Sequence, residues 1–403
     1  MSTPEFSTSS SVRPGDSNHS AQHPTHHTDG LSQTVSSHGR GALRPSDARL
    51  DVGFQQSERG HLDTGLDLGG GQRAPGAWGA HGRYVGQAGG RSSDGTPCFD
   101  QPVPAGGYLW WYVDALSDCG QFGLTIIAFV GSVFSPYYAW ARRGQAPSNP
   151  DNFCSLNVAL YSRQANRWAM TERNAQDCSR SQDHFNIGPS QVRWDGQAMV
   201  IDINEVCVPV PRRIKGTVRL HPQQLFNFGV NLEPQGLHRW GPIAPFARVE
   251  VQLQHPDQSW QGHAYLDSNE GDEPIDRPFK EWDWSRSLMA NGDTAVLYDL
   301  QLKSGENPVL ALRFDQQGRV HDFEPPAVHN LRRTKWAMAR RMRSDGPVHV
   351  KQQLEDTPFY QRAVLESELL GEAVESFHET LHTGRLVSPV VQAMLPWRMP
   401  RRF

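Results

Sequence analysis

Cysteine is scarce: five residues in 403 (Cys98, Cys119, Cys154, Cys178, Cys207), odd in number, widely spaced and with no C-x-x-C pair. That spacing indicates neither a disulfide framework nor a thiolate zinc site, and it fits a reducing compartment. Long apolar runs are also missing. The most apolar stretch, Gly123 to Phe134, falls well short of the roughly 20 residues a bilayer-spanning helix needs, so it reads as a buried strand. Neither charge sign dominates: the formal net charge is -4, with acids and bases spread along the chain, which gives no electrostatic case for nucleic acid as a partner. There is no P-loop, no dinucleotide glycine fingerprint and no G-x-S-x-G elbow. The N-terminus lacks a basic segment followed by an apolar one, so the expectation is a cytoplasmic chain.

Residues 1–95 are poor in aromatic and branched apolar side chains and rich in Ser, Gly, His and Pro, too little apolar surface to offset chain entropy. They are expected to be a disordered extension, in which His23-Pro24-Thr25-His26-His27 is a solvated run and not a metal site. From Pro97 the composition turns aromatic and β-branched with frequent turn signals, which predicts a mainly β protein. Asp195-Gly196 supplies a two-residue hairpin turn. Val249, Val251 and Leu253 alternate with polar residues in a second hairpin, from Arg248 to Asp267, that turns at His255-Pro256-Asp257-Gln258. Residues 295–323 read as a meander, and meanders of this kind commonly close into up-and-down barrels. The expected organisation is a first β-barrel domain over 96–228, a second over 229–350 that carries the site, and a C-terminal helix and basic tail over 351–403. Thr357 to Leu381 is predicted as the helix, with Ala363, Leu365, Leu369, Val374 and Phe377 on one stripe.

Polar and aromatic residues alternate in two short segments. Extended, Leu237-His238-Arg239-Trp240-Gly241 puts His238 and Trp240 on one face, and His263-Ala264-Tyr265-Leu266-Asp267 puts His263, Tyr265 and Asp267 on another. A carboxyl, an imidazole and two aromatic rings are thereby candidates to line one pocket, although Asp267 equally suits a cap on the loop that follows. That loop, Asp267 to Glu273, is rich in oxygen ligands but lacks the calcium-loop spacing. Trp282, Trp284 and Arg286 share a face, either as a core strand with a buried ion pair or as an aromatic wall for a ligand. Tyr108, Trp110 and Tyr112 lie in an unusually aromatic run, Tyr108 to Tyr112.

Trp110-Trp111-Tyr112-Val113-Asp114-Ala115, Phe134-Ser135-Pro136-Tyr137-Tyr138, Asn157-Val158-Ala159-Leu160-Tyr161 and Gly262-His263-Ala264-Tyr265-Leu266-Asp267 resemble the carotenoid 1,2-hydratase family, also called hydroxyneurosporene synthases. The likeness runs from about Pro97 to Gly346 and takes in Trp282-Asp283-Trp284-Ser285-Arg286. It implies a pair of lipocalin-like antiparallel barrels. It also implies an enzyme of purple photosynthetic bacteria, in the spheroidene and spirilloxanthin pathways, that adds water across the C1,C2 bond of neurosporene, lycopene and related acyclic carotenoids. The family's catalytic positions fall on His238, Trp240, Tyr265 and Asp267. Substrate contacts are expected from Trp282, Trp284, Tyr108, Trp110 and Tyr112.

An isolated alkene is a poor base, so hydration demands an acid that keeps its proton near neutral pH. A carboxylic acid buried at Asp267 meets that demand, with His238 as base, orienter or relay. Hydration moves no electrons, so no cofactor and no metal are expected. The expected partners are an acyclic carotenoid and water, with peripheral contact to lipid of the inner photosynthetic membrane. Two rival readings are a non-catalytic carotenoid or lipid carrier, and a carbohydrate-active protein with Glu270 or Asp283 as acid.

Overall fold

The computed structural model describes residues 87–162 and 166–402. The His23–His27 run, with most of the expected N-terminal extension, lies outside them. The first strands are β1 (Tyr108–Ser117), β2 (Phe122–Val130), β3 (Cys154–Ser162), β4 (Arg167–Arg173), β5 (Cys178–Arg180) and β6 (His184–Ile187). They are followed by β7 (Ser190–Trp194), β8 (Met199–Val206), β9 (Arg213–Pro222), β10 (Val230–Asn231), β11 (His238–His255) and β12 (Gln258–Gly271). All twelve form one antiparallel sheet in the order β4-β3-β2-β1-β12-β11-β9-β8-β7-β6-β5, with β10 paired to β11.

A second, seven-stranded sheet contains β13 (Phe279–Leu288), β14 (Thr294–Leu302), β15 (Val309–Phe314) and β16 (Val320–Asp322). After the small pair β17 (Val328–Asn330) and β18 (Arg341–Arg343), it is completed by β19 (His349–Asp356), β20 (Tyr360–Leu369) and β21 (Glu372–His382). The mainly β, antiparallel, barrel-like architecture is as expected, and so are both hairpins and the 295–323 meander.

Three boundaries differ from expectation. The division at 228/229 falls inside the first sheet, because β11 and β12 pair with β9 and β1. The expected site strands therefore belong to the first sheet, not to a separate second barrel. Thr357 to Leu381 is a β-hairpin, not a helix: β20 pairs with β21 through a turn at Leu370-Gly371, where both residues have positive φ. That is the backbone of a two-residue hairpin loop, with glycine at one position. The apolar stripe is real burial: Leu365 and Leu369, four apart, fit a helical spacing, but Ala363, Leu365 and Leu369 all share one face of a strand. Short helices, α1 (Pro136–Ala141), α2 (Thr383–Leu386) and α3 (Pro389–Met394), place the C-terminal helical part after this hairpin. Finally, residues before 95 take part in the fold: Ala88 and Arg91 are buried, and Arg91 donates to the carbonyls of Phe226, Phe228, Gly241 and Pro242 and to Ser268 Oγ.

The central strands explain the aromatic run. Leu109, Trp111, Val113 and Ala115 point into the first sheet's own core, while Tyr108, Trp110 and Tyr112 point the other way into a core shared with the second sheet. Strand β1 is buried on both faces, so it shows no polar alternation. β2 behaves likewise, with Leu124, Ile126, Ala128 and Val130 on one side and Ile127 and Phe129 on the other.

Candidate functional site

Strands β1 and β11 flank β12, and register fixes the site. Tyr112 lies opposite Asp267 on one side and Trp110 opposite Asn269, while Trp240 pairs with Asn269 on the other. Asp267 is 3% exposed, in the middle of a strand and not capping a loop. Its Oδ2 accepts hydrogen bonds from Trp240 Nε1 at 2.7 Å and Tyr265 Oη at 2.9 Å. Its Oδ1 is buried with no hydrogen-bond partner among the described residues.

Burial pushes the Asp267 carboxyl from the usual 3.8 up to about 8, because the anion loses its hydration; the two donated bonds pull the other way and are outweighed. The charges of Glu379 and Asp114 add to the rise. Arg91 interacts electrostatically with Asp267, yet its hydrogen bonds go to carbonyls and Ser268, and among the described residues no ion pair holds the anion.

Asp267 lines a cavity of about 40 Å³ walled mostly by rings, with Ile127, Val133, Leu381 and Asn269 among them. Trp110, Tyr112 and Trp240 come from the first sheet; Trp282, Trp284, Tyr298 and Tyr360 come from the second. Edge contacts between Tyr112 and Trp284 at 5.6 Å and between Trp240 and Tyr298 at 5.6 Å join the two sheets around the carboxyl. Glu379, from β21, supplies a second carboxylate to the lining.

Most of the expected residues converge here. Trp240, Asp267, Trp110, Tyr112, Trp282 and Trp284 line the cavity, and Tyr265 stands behind Asp267 as a donor. Besides Tyr265, two others do not line it. His238 is fully buried, with Nδ1 2.8 Å from the Tyr108 hydroxyl, its ring against Phe279, and its pKa lowered by burial. Tyr108 stacks on Trp110 with ring centroids 4.9 Å apart, so this pair buttresses the wall from one layer back. Gly271 makes room for the pair: a Cβ there would stand 2.4 Å from Tyr108 Cε1 and 2.7 Å from His238 Nδ1. His263 shares the parity of Asp267 but sits at the solvent end of β12, beside Asp118.

Arg286 pairs with Asp114, fully buried. Asp283, one position from each tryptophan of the wall, points to the other face and accepts from Thr380 Oγ1 and from Arg341. Glu270 is taken up by Gly89 N, Gln101 and Arg239. Neither acid of the carbohydrate-active reading faces the cavity.

The sequence reading missed Glu379, Tyr360 and Tyr298. Glu379 and Tyr360 lie in the segment read as a helix, where helical spacing disperses residues that a hairpin sets face to face. The turn at Leu370-Gly371 was the available signal. Tyr298 sits in a recognised strand, at a position indistinguishable from core.

These features define a mainly β protein with an aromatic-walled cavity closed around one unpaired buried carboxyl. Residues 126–403 match the family model described as carotenoid hydratase CrtC. The chain is 52% identical over its whole length to the full length of the acyclic carotenoid 1,2-hydratase of Rubrivivax gelatinosus. It is 46% identical to the acyclic carotenoid 1,2-hydratase of Thiocapsa roseopersicina over 90% of each chain. A solved structure of AttH type from Nitrosomonas europaea aligns with TM-score 0.49 and 15% identity over 68% of this chain and 92% of that one. The chain belongs to the carotenoid hydratase family.

Proposed function

We propose that the chain is a hydro-lyase that adds water across the C1,C2 double bond of acyclic carotenoids such as neurosporene and lycopene, giving 1-hydroxy carotenoids. The observation that carries this reading is Asp267: a carboxyl in a wall of rings, protonated at neutral pH, with one buried oxygen unpartnered. Asp267 delivers its proton to C2, and the tertiary cation left at C1 is stabilised by the faces of Trp240, Trp284 and Tyr298, each such contact worth about 0.5–2 kcal/mol. Water then bonds to C1. Trp240 Nε1 and Tyr265 Oη stay on Oδ2 and take up the charge that develops on Asp267. A non-catalytic carrier would need the rings and not an acid held at the wrong end of its pKa range, since an isoleucine would pack there without the desolvation cost.

The substrate route is a second cavity of about 490 Å³ that shares Phe134 and Tyr360 with the first. Trp336, Met394 and Trp397 at its rim are 48%, 41% and 77% exposed. Exposed Arg332, Arg333 and Lys335 adjoin the rim, and Arg398 lines it. Amphipathic indoles beside cations suit a lipid surface with anionic headgroups, so the contact with the membrane is peripheral and the polyene enters from it. Among the described residues no helix is long and apolar enough to cross a membrane.

The test is incubation of purified protein with emulsified lycopene, followed by chromatography and mass spectrometry. A product heavier by one water is expected; unchanged bound lycopene would sink the enzymatic reading and leave the carrier.

A further inference from the structure

The hydration step leaves one proton to place. When water attacks C1 it becomes an oxonium, and a base must take its proton before the product is neutral. His238 does not line the cavity and its Nδ1 is engaged by Tyr108. We propose that Glu379, reaching the cavity from the second sheet, is that base.

Glu379 is 8% exposed and lines the same cavity as Asp267. Its Oε1 accepts from Tyr112 Oη at 2.6 Å and from Arg362 Nε at 2.5 Å. Tyr112 lies opposite Asp267 in the β1–β12 register, so the hydroxyl that holds Glu379 belongs to the strand neighbour of the acid. Arg362 is 1% exposed, and its pKa is raised by the carboxylates and phenols around it, so it supplies a permanent positive charge to Glu379. The two acids are thus set in opposite ways within one cavity: among the described residues no cation is bonded to Asp267, whereas Glu379 has a guanidinium.

That is the arrangement an addition across a double bond requires, with one group giving a proton while another accepts one. The balance closes. The Asp267 O–H bond breaks as C2–H forms with the alkene electron pair; the water oxygen bonds to C1; its O–H bond then breaks toward Glu379. The cycle leaves Asp267 as the anion and Glu379 protonated. Return of that proton from Glu379 to Asp267 through water resets both, with one water consumed. The assignment rests on the hydratase reading above.

Glu379 also meets a description as a pillar between sheets, so the test needs a readout that a pillar would not move. The titratable and charged groups that face it are Tyr112 and Asp114 on β1, Asp267 on β12, Tyr298 on β14, Glu355 on β19, and Tyr360 and Arg362 on β20. The full-length protein and its Glu379→Gln variant are compared by kcat, KM and the pH profile of kcat with lycopene, and by thermal unfolding. The expected result is a kcat lower by about 10²-fold or more with KM little changed, and loss of the acid-side limb of the profile while the alkaline limb set by Asp267 stays. Glu379→Asp keeps the limb and recovers part of the rate. An acid-side limb that persists in a folded Glu379→Gln overturns the assignment, whatever the size of the rate loss.

Should Glu379→Gln not fold, Glu379→Asp carries the test, since it keeps the charge for Arg362 and withdraws the carboxylate by one methylene. A kcat lower by about tenfold at an unchanged melting temperature then supports the base, and an unchanged kcat overturns it. Failure of the parent protein to hydrate lycopene would instead remove the activity itself. A dead Asp267→Asn beside an unaffected Glu379→Gln removes only Glu379.

Discussion

Asp267 and Asp283 make an instructive pair. Each sits in the middle of a central strand, one per sheet, each is about 95% or more buried, and each has aromatic neighbours in sequence. Asp283 accepts three hydrogen bonds, two of them from Arg341, and burial raises its pKa to about 6. Asp267 accepts two, both from uncharged rings on one oxygen, and is raised to about 8. The two surroundings differ in where the nearest arginine places its hydrogens. Arg341 points them at a carboxylate, whereas Arg91 points them at backbone carbonyls and Ser268. A cation bonded to a carboxyl favours the anion; a buried carboxyl without one keeps a proton that can be given away.

The sharpest way to break the comparison is to neutralise each acid. Asp267→Asn keeps shape and removes the acidic proton, so hydratase turnover should fall by about 10²- to 10⁴-fold while carotenoid binding survives. Asp283→Asn should change turnover by less than about threefold and lower stability by about 1–3 kcal/mol, read by denaturant unfolding, because Arg341 loses its counter-charge. Near-normal turnover in Asp267→Asn would take the acid role away from it.

Next in size is Arg91→Ala, which removes the guanidinium that bonds four carbonyls and Ser268 and should cost about 3 kcal/mol or more in unfolding experiments. A companion truncation sharpens the point: removal of residues 1–86 should leave turnover largely intact, whereas removal through residue 95 should not, since it takes Arg91 with it. Equal activity of the two truncations would show that the Arg91 anchor is dispensable.

The pH dependence has a definite sign. Catalysis uses the protonated Asp267, so the alkaline limb of turnover should fall as pH rises through about 8. For stability, the unfolded chain releases this proton near 4 and the folded chain near 8, so this residue's contribution worsens as pH rises between those values. Asp267→Asn should therefore melt progressively higher than its parent between pH 5 and pH 8. A constant difference across that range would mean that Asp267 is ionised in the folded protein.

The smallest expected effect concerns access. Only Asp267, of the two acids, adjoins a cavity that shares walls with the Trp336–Trp397 rim. Replacing both tryptophans by Ala should weaken sedimentation with anionic vesicles by about tenfold. Binding that ignores both the substitutions and the salt concentration would count against this face as the lipid contact.

Much of this was legible without coordinates. Abrupt composition change near Pro97, Asp-Gly and Pro-containing turns and period-two stretches dictate an antiparallel β protein, because such signals act through neighbouring residues alone. Strand parity likewise put Trp240 on a face with His238, and Tyr265 on a face with Asp267. Parity could not say that His238 ends one layer behind the cavity, because its place depends on Gly271 and Tyr108 from other strands. It could not split the hairpin at 360–382 from a helix, since the apolar stripe fits both periods and a Leu-Gly turn is a weak mark. Nor could it distinguish Asp267 from Asp283, two acids in similar aromatic strings. That distinction lies in which arginine, remote in sequence, reaches which carboxyl, and in the facing of two sheets that brings Glu379 to the same cavity. Charge state in a protein interior is set by desolvation and by partners in space, and those belong to the tertiary structure.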